Sequence, residues 1–347
     1  MRVEEAARYV DTLCLEIRQR RDYLEDATVN TVYFGGGTPS RLTPRQIGQV
    51  IDCIRTTLGL DGLTEFTVEC NPDDITAGYV TALCSLGVNR ISMGVQTFND
   101  DLLRFLGRRH NSRQAVEAVR VCREAGIRNI SIDLMYGLPG QTPDIQRHDL
   151  EMATSLNVQH ISSYCLSYED GSPLDRMRAE SRITPVDDDT CAAMYTLMCS
   201  HLHDAGFEHY EISNFCLPYC HSRHNSSYWD GTPYMGIGAG AHSYNGHSRQ
   251  WNPDNLDAYM NGIELDNPQF GIEQLSATDL YNERLMLRLR TSRGLNLSAL
   301  TPKGRRSVLN SAHPLIKDGL LLLENYHLRI PEQQMFISDT IISSLFK

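Results

Sequence analysis

The chain has 347 residues, 41% hydrophobic and 22% charged, which suits two globular domains or one large α/β domain with an appendage. The formal net charge of −11 excludes a broad basic surface for nucleic acid. No apolar run is as long as a membrane span and no signal-peptide core is visible, so we expect a cytoplasmic protein.

The chain opens on an amphipathic helix pattern over residues 4–24. Its apolar residues fall near one stripe: Val10, Leu13, Cys14, Ile17 and Leu24. In a β/α barrel a strand normally precedes the first helix. We therefore expect the N-terminus of this sequence to be incomplete.

Strand and helix patterns then alternate as far as about residue 210. The strand patterns cover residues 29–34, 65–70, 90–96, 129–137, 160–168 and 209–213. The helix patterns lie near residues 44–58, 75–86, 112–125, 142–156 and 187–205. This alternation predicts parallel βαβ units, arranged either as a doubly wound sheet or as a barrel.

Glycine and polar residues collect where these strand patterns end. The first strand pattern runs into a turn made of Gly35, Gly36, Gly37, Thr38 and Pro39. Backbone groups in such a turn can approach a ligand, because no Cβ stands in the way. Further polar residues follow along the chain: Glu69, Gln96, Arg108 and Asp133. Both architectures bind ligands at the C-terminal ends of their strands, so we expect the functional site there.

The composition and the periodicity of the sequence change after residue 213. Residues 214–260 are rich in Gly, His, Asn and aromatic residues and show little periodicity, which predicts a long functional loop. Helical patterns return after residue 275, and the strand-like stretch LLLLENYHLRI follows them. This last part predicts a small helical domain with a β-hairpin wing.

The polar residues in this order, with GVQTF and YGLPGQT intact around them, resemble the S-adenosylmethionine (SAM) pocket of radical SAM enzymes. The chain is most similar to the heme-chaperone branch of the oxygen-independent coproporphyrinogen III oxidase-like family. The resemblance runs from Ala6 to the C-terminus. It implies a radical SAM partial (β/α)6 barrel without its first strand over residues 1–213. A His- and aromatic-rich connecting segment over 214–265 and a C-terminal α+β winged-helix-like domain over 266–347 would follow.

The resemblance also assigns the SAM contacts. They are Gly36, Gly37, Thr38, Glu69, Gln96, Arg108 and Asp133. In the family the glycine turn meets the methionine amino group through backbone carbonyls, and the glutamate suits a ribose hydroxyl or an ammonium. The arginine faces the SAM carboxylate, which a guanidinium can bind through two parallel hydrogen bonds.

The iron–sulfur motif of this family, C-x3-C-x2-C, is absent from the sequence. The family's [4Fe–4S] cluster uses three cysteine thiolates and leaves one iron for SAM. Cys216 and Cys220 have the first spacing, but Arg223 occupies the position of a third ligand. Two explanations remain open: a sequence cut at an internal Met, which we favour, or a natural relative without the cluster. We expect no radical catalysis from the chain as given.

The segment RHNSSYW, residues 223–229, provides the candidate heme ligand, His224. Imidazole is a common axial ligand of heme iron, and aromatic side chains can pack on a porphyrin. H-N-x-x-Y-W is a mark of the heme-chaperone branch. From spacing alone, the favoured reading is that His224 and Trp229 brace the loop against the barrel and bind nothing, and only the resemblance makes heme binding an equal alternative. A third reading is zinc, bound by a C-x3-C-H-x2-H set. That set consists of Cys216, Cys220, His221 and His224.

The resemblance therefore implies a heme-trafficking protein. Its cofactors would be SAM and heme, and its partners would be heme-accepting proteins, with the membrane surface as one place of transfer. Two alternatives stay open. One is an oxygen-independent coproporphyrinogen III oxidase, and the other is a pseudoenzyme that binds SAM without a cluster.

Overall fold

We describe the chain from a computed structural model, which covers residues 3–25 and 27–347. The helices are α1 Val3–Gln19, α2 Pro44–Leu58, α3 Ala77–Ser85, α4 Asp100–Phe105, α5 Ser112–Glu124, α6 Pro143–Ser155, α7 Pro173–Ala179, α8 Asp188–Asp204, α9 Arg223–Asp230, α10 Leu256–Glu264, α11 Ala277–Leu289, α12 Pro302–Lys317 and α13 Ser338–Ser343. The strands are β1 Thr31–Phe34, β2 Glu65–Cys70, β3 Arg90–Gln96, β4 Asn129–Tyr136, β5 His160–Cys165, β6 Glu208–Glu211, β7 Asn214–Cys216, β8 His242–Tyr244, β9 Ser248–Trp251, β10 Gly271–Gln274, β11 Leu295–Asn296, β12 Leu322–Glu324 and β13 His327–Arg329. Short 3₁₀ helices include Pro39–Arg41 and Glu332–Ile337.

Seven strands form one curled half-barrel sheet in the order β1-β2-β3-β4-β5-β7-β6. Strands β1 to β5 pair in parallel, each with the next along the chain, as the alternation predicts. Strand β7 is antiparallel to both β5 and β6. Strand β6, the last strand predicted from the sequence, therefore runs in the same direction as β1 to β5 but pairs with β7 instead of β5. After β6 the chain turns at Ile212 and Ser213 and inserts β7 beside β5.

The two faces of this sheet differ in polarity because successive side chains point to opposite faces. In β2, Phe66 and Val68 are buried in the hydrophobic core together with apolar residues of α2, α3, α5, α6 and α8. Glu65 and Glu69 alternate with them and lie on the inner face. The helices thus cover the outer face, and the inner face is left with the polar side chains that form the candidate site.

Two predictions from the sequence are wrong: the end of the first helix and the long loop over residues 214–260. Helix α1 ends at Gln19 rather than near residue 24, because the chain turns over residues 20–25. Arg20 begins this turn, and its Nη1 donates to the Gly236 carbonyl over 2.9 Å. The segment 214–260 is not a long loop, since it contains β7, α9, β8, β9 and the first part of α10. These elements are too short to give a visible period in the sequence.

The C-terminal part combines α11, α12 and α13 with a small sheet of order β11-β13-β12. The antiparallel pair β12–β13 confirms the hairpin wing predicted from LLLLENYHLRI. Buried residues of this part, such as Leu289 and Leu328, belong to the same hydrophobic cluster as the main sheet. Among the described residues, no helix is both long and apolar enough to cross a membrane.

Candidate functional site

The glycine turn and Glu69 lie together at the C-terminal end of the sheet. The Gly36 N–H donates to Glu69 Oε2 over 3.0 Å, and Tyr33 Oη donates to Glu69 Oε1 over 2.7 Å. Gly36 and Gly37 have φ values of 75° and 65°, a region that favours glycine. The expected glycine turn is therefore present, and its Gly36 N–H binds the predicted glutamate, Glu69.

Gln96 and Arg108 converge around Gly94 on β3. Arg108 Nη2 donates to Asn71 Oδ1 over 2.7 Å and to the Gly94 carbonyl over 2.8 Å. A Cβ at position 94 would lie 3.0 Å from Gln96 Nε2 and 3.1 Å from Arg108 Nη2, so glycine makes room for both side chains. Gln96 has a φ of 72° where the β3–β4 register shifts. Burial lowers the pKa of Arg108.

Asp133, on β4, interacts electrostatically both with Glu69 at the glycine turn and with Arg108 near Gly94. Burial raises the pKa of Asp133 to about 6, and the nearby Glu69 raises it as well. Asp133 in turn acts to raise the pKa of Arg108, against the effect of burial. Six of the seven predicted SAM residues therefore gather at one end of the sheet. The seventh, Thr38, is exposed before Pro39–Arg41, and its side chain makes no capping hydrogen bond to that helix.

The residues in this group fit SAM but not a [4Fe–4S] cluster. A Cβ on Gly36 or Gly37 would meet no atom within 4 Å, so the space in front of the turn is open to a ligand. The cluster needs three thiolates, and the described residues bring no three cysteines together. Cys216, the first cysteine of the C-x3-C pair, is buried in β7. We therefore derive no chemical step through a cluster.

Helix α9 is anchored to the inner face of the sheet by Glu65. This carboxylate is 4% exposed and accepts from the Arg223 N–H over 2.8 Å and the His224 N–H over 2.9 Å. Ser222 Oγ donates to it over 3.3 Å. The free N–H groups of a helix N-terminus attract a negative charge, and Glu65 supplies it. The interaction fixes α9 beside β1 and β2.

The His224 side chain packs between α9 and β1. Its Nδ1 lies 2.9 Å from Thr31 Oγ1, and its Nε2 lies 3.0 Å from Tyr228 Oη. The ring stacks on Tyr33, with centroids 4.8 Å apart and an interplanar angle of 21°. Burial lowers the pKa of His224 to about 4, against the opposing effect of Glu65. The imidazole is therefore neutral at pH 7, the form that binds a metal.

This pKa predicts an acid-sensitive contribution to stability. His224 has a pKa of about 4 in the folded chain, against the usual 6.5, so below pH 6.5 the unfolded chain binds a proton that the folded chain rejects. As the pH is lowered from 6.5 to about 4, we expect the contribution of His224 to the free energy of unfolding to fall by up to about 1.4 kcal/mol per pH unit. Urea unfolding of the wild type and His224→Gln across this range measures the difference. Equal pH slopes for the two proteins would contradict the prediction.

A cavity of about 2350 Å³ runs along β1 from the glycine turn to α9. Its aromatic lining comprises Tyr9, Tyr23, Tyr33, Phe34, Tyr228 and Tyr234. Its basic lining comprises Arg41, Arg45, Arg109 and Arg223. Three histidines reach it: His224, His242 and His247. The predicted SAM turn and the predicted heme ligand therefore share one cavity.

Sequence reasoning missed His242 and His247. The general richness of residues 214–265 in histidine was their only signal, and nothing in it singled them out. In the described structure the His242 ring stacks on Trp251, with centroids 6.0 Å apart, and neither of its nitrogens has a hydrogen bond. His242 is thus an imidazole without a hydrogen bond that lines the same cavity as His224.

The zinc reading of the C-x3-C-H-x2-H set is wrong. Across residues 3–25 and 27–347, the one group of three or more metal-ligand atoms within 4.8 Å of each other lies elsewhere, at Cys199, His209 and Glu332. His224 faces Thr31 and Tyr228 instead. The four residues are close in sequence, but β7 and α9 separate their side chains.

Comparison with known proteins agrees with this arrangement. The family model of the radical SAM superfamily matches residues 9–152, and that of the HemN C-terminal domain matches residues 275–337. The structure of coproporphyrinogen III oxidase (HemN) from Escherichia coli superposes with a TM-score of 0.84, covering 99% of this chain and 83% of that chain. The two sequences are 22% identical, so this likeness establishes the fold alone.

The curated relatives are more similar in sequence. Heme chaperone HemW of Lactococcus lactis is 37% identical over 287 residues, which are 83% of this chain and 74% of the relative. Heme chaperone HemW of Mycobacterium tuberculosis is 33% identical over 341 residues, 97% of this chain and 86% of the relative. Radical S-adenosyl methionine domain-containing protein 1 of Bos taurus, a mitochondrial protein, is 32% identical over 337 residues, 91% of this chain and 75% of the relative. The chain belongs to the heme chaperone HemW family of radical SAM proteins.

Proposed function

We propose that the chain is a heme chaperone that holds heme in the cavity beside α9 and passes it to acceptor proteins. The observation that carries this proposal is the position of His224, a neutral imidazole on the wall of a large cavity lined by aromatic residues. The family relationship supports the same function. We keep the cytoplasm as the predicted location.

The chemistry of the cavity suits heme. Aromatic rings offer flat surfaces for a porphyrin, and arginines can pair with its propionates. Arg41, Arg45 and Arg223 are exposed cavity residues available for that pairing. To bind iron through Nε2, His224 has to exchange its contact with Tyr228 for the metal. His242, which has no such contact within the described residues, is the second candidate ligand.

SAM is the second proposed ligand. Gly36, Gly37 and Glu69 would hold its amino group and ribose, and Arg108 would hold its carboxylate. Gln96, Asp133 and Thr38 complete the proposed set. In radical SAM proteins that carry a cluster, bound SAM supplies a radical. Here the described residues contribute binding and orientation only, so the coproporphyrinogen oxidase alternative gains no support from them.

Heme titration tests the proposed function. We expect the wild-type chain to give a shifted Soret band with a near-stoichiometric endpoint. His224→Ala should shift this spectrum or weaken binding by roughly 10-fold or more, as loss of a metal-site residue does. His148→Ala is the matched control, because His148 is exposed on the outer helix α6 and lies outside the cavity lining.

The further outcomes separate the alternatives. If His224→Ala binds heme like the wild type and His242→Ala does not, the ligand is His242 and the cavity assignment stands. If neither variant differs from the wild type, neither His224 nor His242 is the heme ligand and the proposed assignment is wrong. Transfer of bound heme to apomyoglobin tests the chaperone activity itself. A heme-loaded chain that never releases its heme to an acceptor would rule that activity out.

A further inference from the structure

Four metal-ligand side chains meet where the half-barrel contacts the C-terminal part. Cys199 and His203 lie one turn apart on α8, His209 lies on β6, and Glu332 begins the 3₁₀ helix Glu332–Ile337. His203 Nε2 and His209 Nδ1 each lie 2.8 Å from the same oxygen, Glu332 Oε1. The donor atoms of Cys199, His209 and Glu332 all lie within 4.8 Å of one another.

The cluster is largely buried but remains partly exposed to solvent at Glu332. Cys199 is 8% exposed, the His209 side chain is 4% exposed, and the Glu332 side chain is 31% exposed. His209 also stacks on Phe215, with centroids 4.1 Å apart and an interplanar angle of 10°, so its orientation is fixed by packing. A metal ion could therefore enter past Glu332 and meet donors that are already oriented.

We propose that Cys199, His203, His209 and Glu332 bind one Zn²⁺ ion that fastens the C-terminal part to the half-barrel. One sulfur, two imidazole nitrogens and one carboxylate oxygen are ligands that Zn²⁺ accepts in tetrahedral sites. All four positions are filled by protein atoms, which is the pattern of a structural rather than a catalytic zinc. The cluster is distinct from the cavity along β1, since none of its residues lines that cavity.

The donor spacing requires an adjustment, and it is largest for His203, whose ring nitrogens lie outside the group of ligand atoms that are all within 4.8 Å of one another. Ligands around tetrahedral zinc stand about 3.3 Å apart for bonds of about 2.0 Å, so both imidazoles would move outward from the glutamate by roughly half an ångström. His203 has room to do so at the surface, where 46% of its side chain is exposed. The Cys199 thiol has a pKa raised to about 12 by burial, so the metal has to displace its proton on binding.

The competing explanation is an ion-pair network. Protonated His203 and His209 could share the Glu332 carboxylate and hold the two parts together without a metal. The hydrogen bond from His209 is the largest influence that lowers the pKa of Glu332 to about 2, so the carboxylate is ionised in either case. Cys199 separates the two explanations, because a zinc site needs its thiolate and an ion-pair network does not.

Co²⁺ titration of the full chain, stripped with a chelator and kept anaerobic, decides between them. We expect one equivalent of Co²⁺ to give the visible absorption of a tetrahedral site and a sulfur-to-cobalt charge-transfer band, both removed by added Zn²⁺. Cys199→Ser should abolish the charge-transfer band, and Glu332→Gln should weaken binding by about 10- to 100-fold or more. Cys220→Ser, a half-buried cysteine outside the cluster, should bind like the wild type.

Thermal unfolding gives a second readout. Zn²⁺ should raise the unfolding temperature of the wild type and of Cys220→Ser but not of Cys199→Ser, because a ligand stabilises the state that binds it. Circular dichroism confirms that each variant is folded, and Glu332→Gln preserves the shape of a partly exposed side chain. The proposal is overturned if the wild type binds no Co²⁺, if Cys199→Ser keeps the charge-transfer band, or if Cys220→Ser loses it.

Discussion

Replacing Glu16 by alanine is expected to lower the free energy of unfolding by about 3–5 kcal/mol, the cost of removing one partner of a buried ion pair. Glu16 lies on α1 and is fully buried. Its carboxylate accepts from Arg20 Nη1 (2.8 Å), Gly238 N (2.9 Å), Asn252 Nδ2 (2.9 Å) and Tyr259 Oη (2.7 Å). Without it, the arginine charge and three other donors lose their acceptor in a buried place.

Chemical denaturation measures this effect, and Glu264→Ala is the matched control. Glu264 pairs with Arg8 over 2.7 Å nearby, but its side chain is 35% exposed, so its loss should cost no more than about 1 kcal/mol. Glu16 also positions Gly238, next to the residues that line the cavity, so heme binding should weaken in Glu16→Ala alone. Equal losses of stability in the two variants would mean that burial of Glu16 is not the cause.

Arg108→Ala is expected to lower SAM affinity by about 10- to 150-fold, which corresponds to the loss of a charge-assisted pair worth about 1.5–3 kcal/mol. The guanidinium is fixed by Asn71 and the Gly94 carbonyl through Nη2, which leaves other N–H groups for a ligand carboxylate. Its position near Asp133 and Gln96 places it within the proposed set. Calorimetry with SAM measures the change.

Arg104→Ala controls for a general loss of positive charge. Arg104, on α4, lies four residues before Arg108, is exposed and pairs with Asp101. We expect its replacement to leave SAM affinity unchanged. If Arg108→Ala binds SAM as tightly as the wild type, Arg108 does not belong to the site. If Arg104→Ala loses as much affinity as Arg108→Ala, the effect is long-range electrostatics rather than a direct contact.

The structure joins two candidate sites that the sequence leaves separate. His224 stacks on Tyr33, Tyr33 donates to Glu69, and Glu69 accepts from the N–H of Gly36. A ligand that binds Glu69 at the glycine turn therefore competes for a carboxylate that also orients Tyr33. The two ligands are expected to bind to neighbouring parts of one cavity.

The sequence alone determined the local parts of this architecture. Alternating apolar residues predict β2 and β3 at their observed bounds, because half-buried strands have a period of two residues. The glycine turn after β1 and the gathering of Glu69, Gln96, Arg108 and Asp133 were also predictable. Parallel strands bring their C-terminal ends to one edge of a sheet, so residues far apart in sequence become neighbours there.

Only the tertiary structure decided which side chains meet across the molecule. Glu65 and the N-terminus of α9 are 159 residues apart, and this contact turns an apparent loop into a helix on the cavity wall. His209 and Glu332 are 123 residues apart, so no short motif announces their cluster with Cys199. No pattern in the sequence predicts the insertion of β7 beside β5 either. Such contacts depend on how whole elements pack, and a period or a spacing in sequence reports only neighbours along one element.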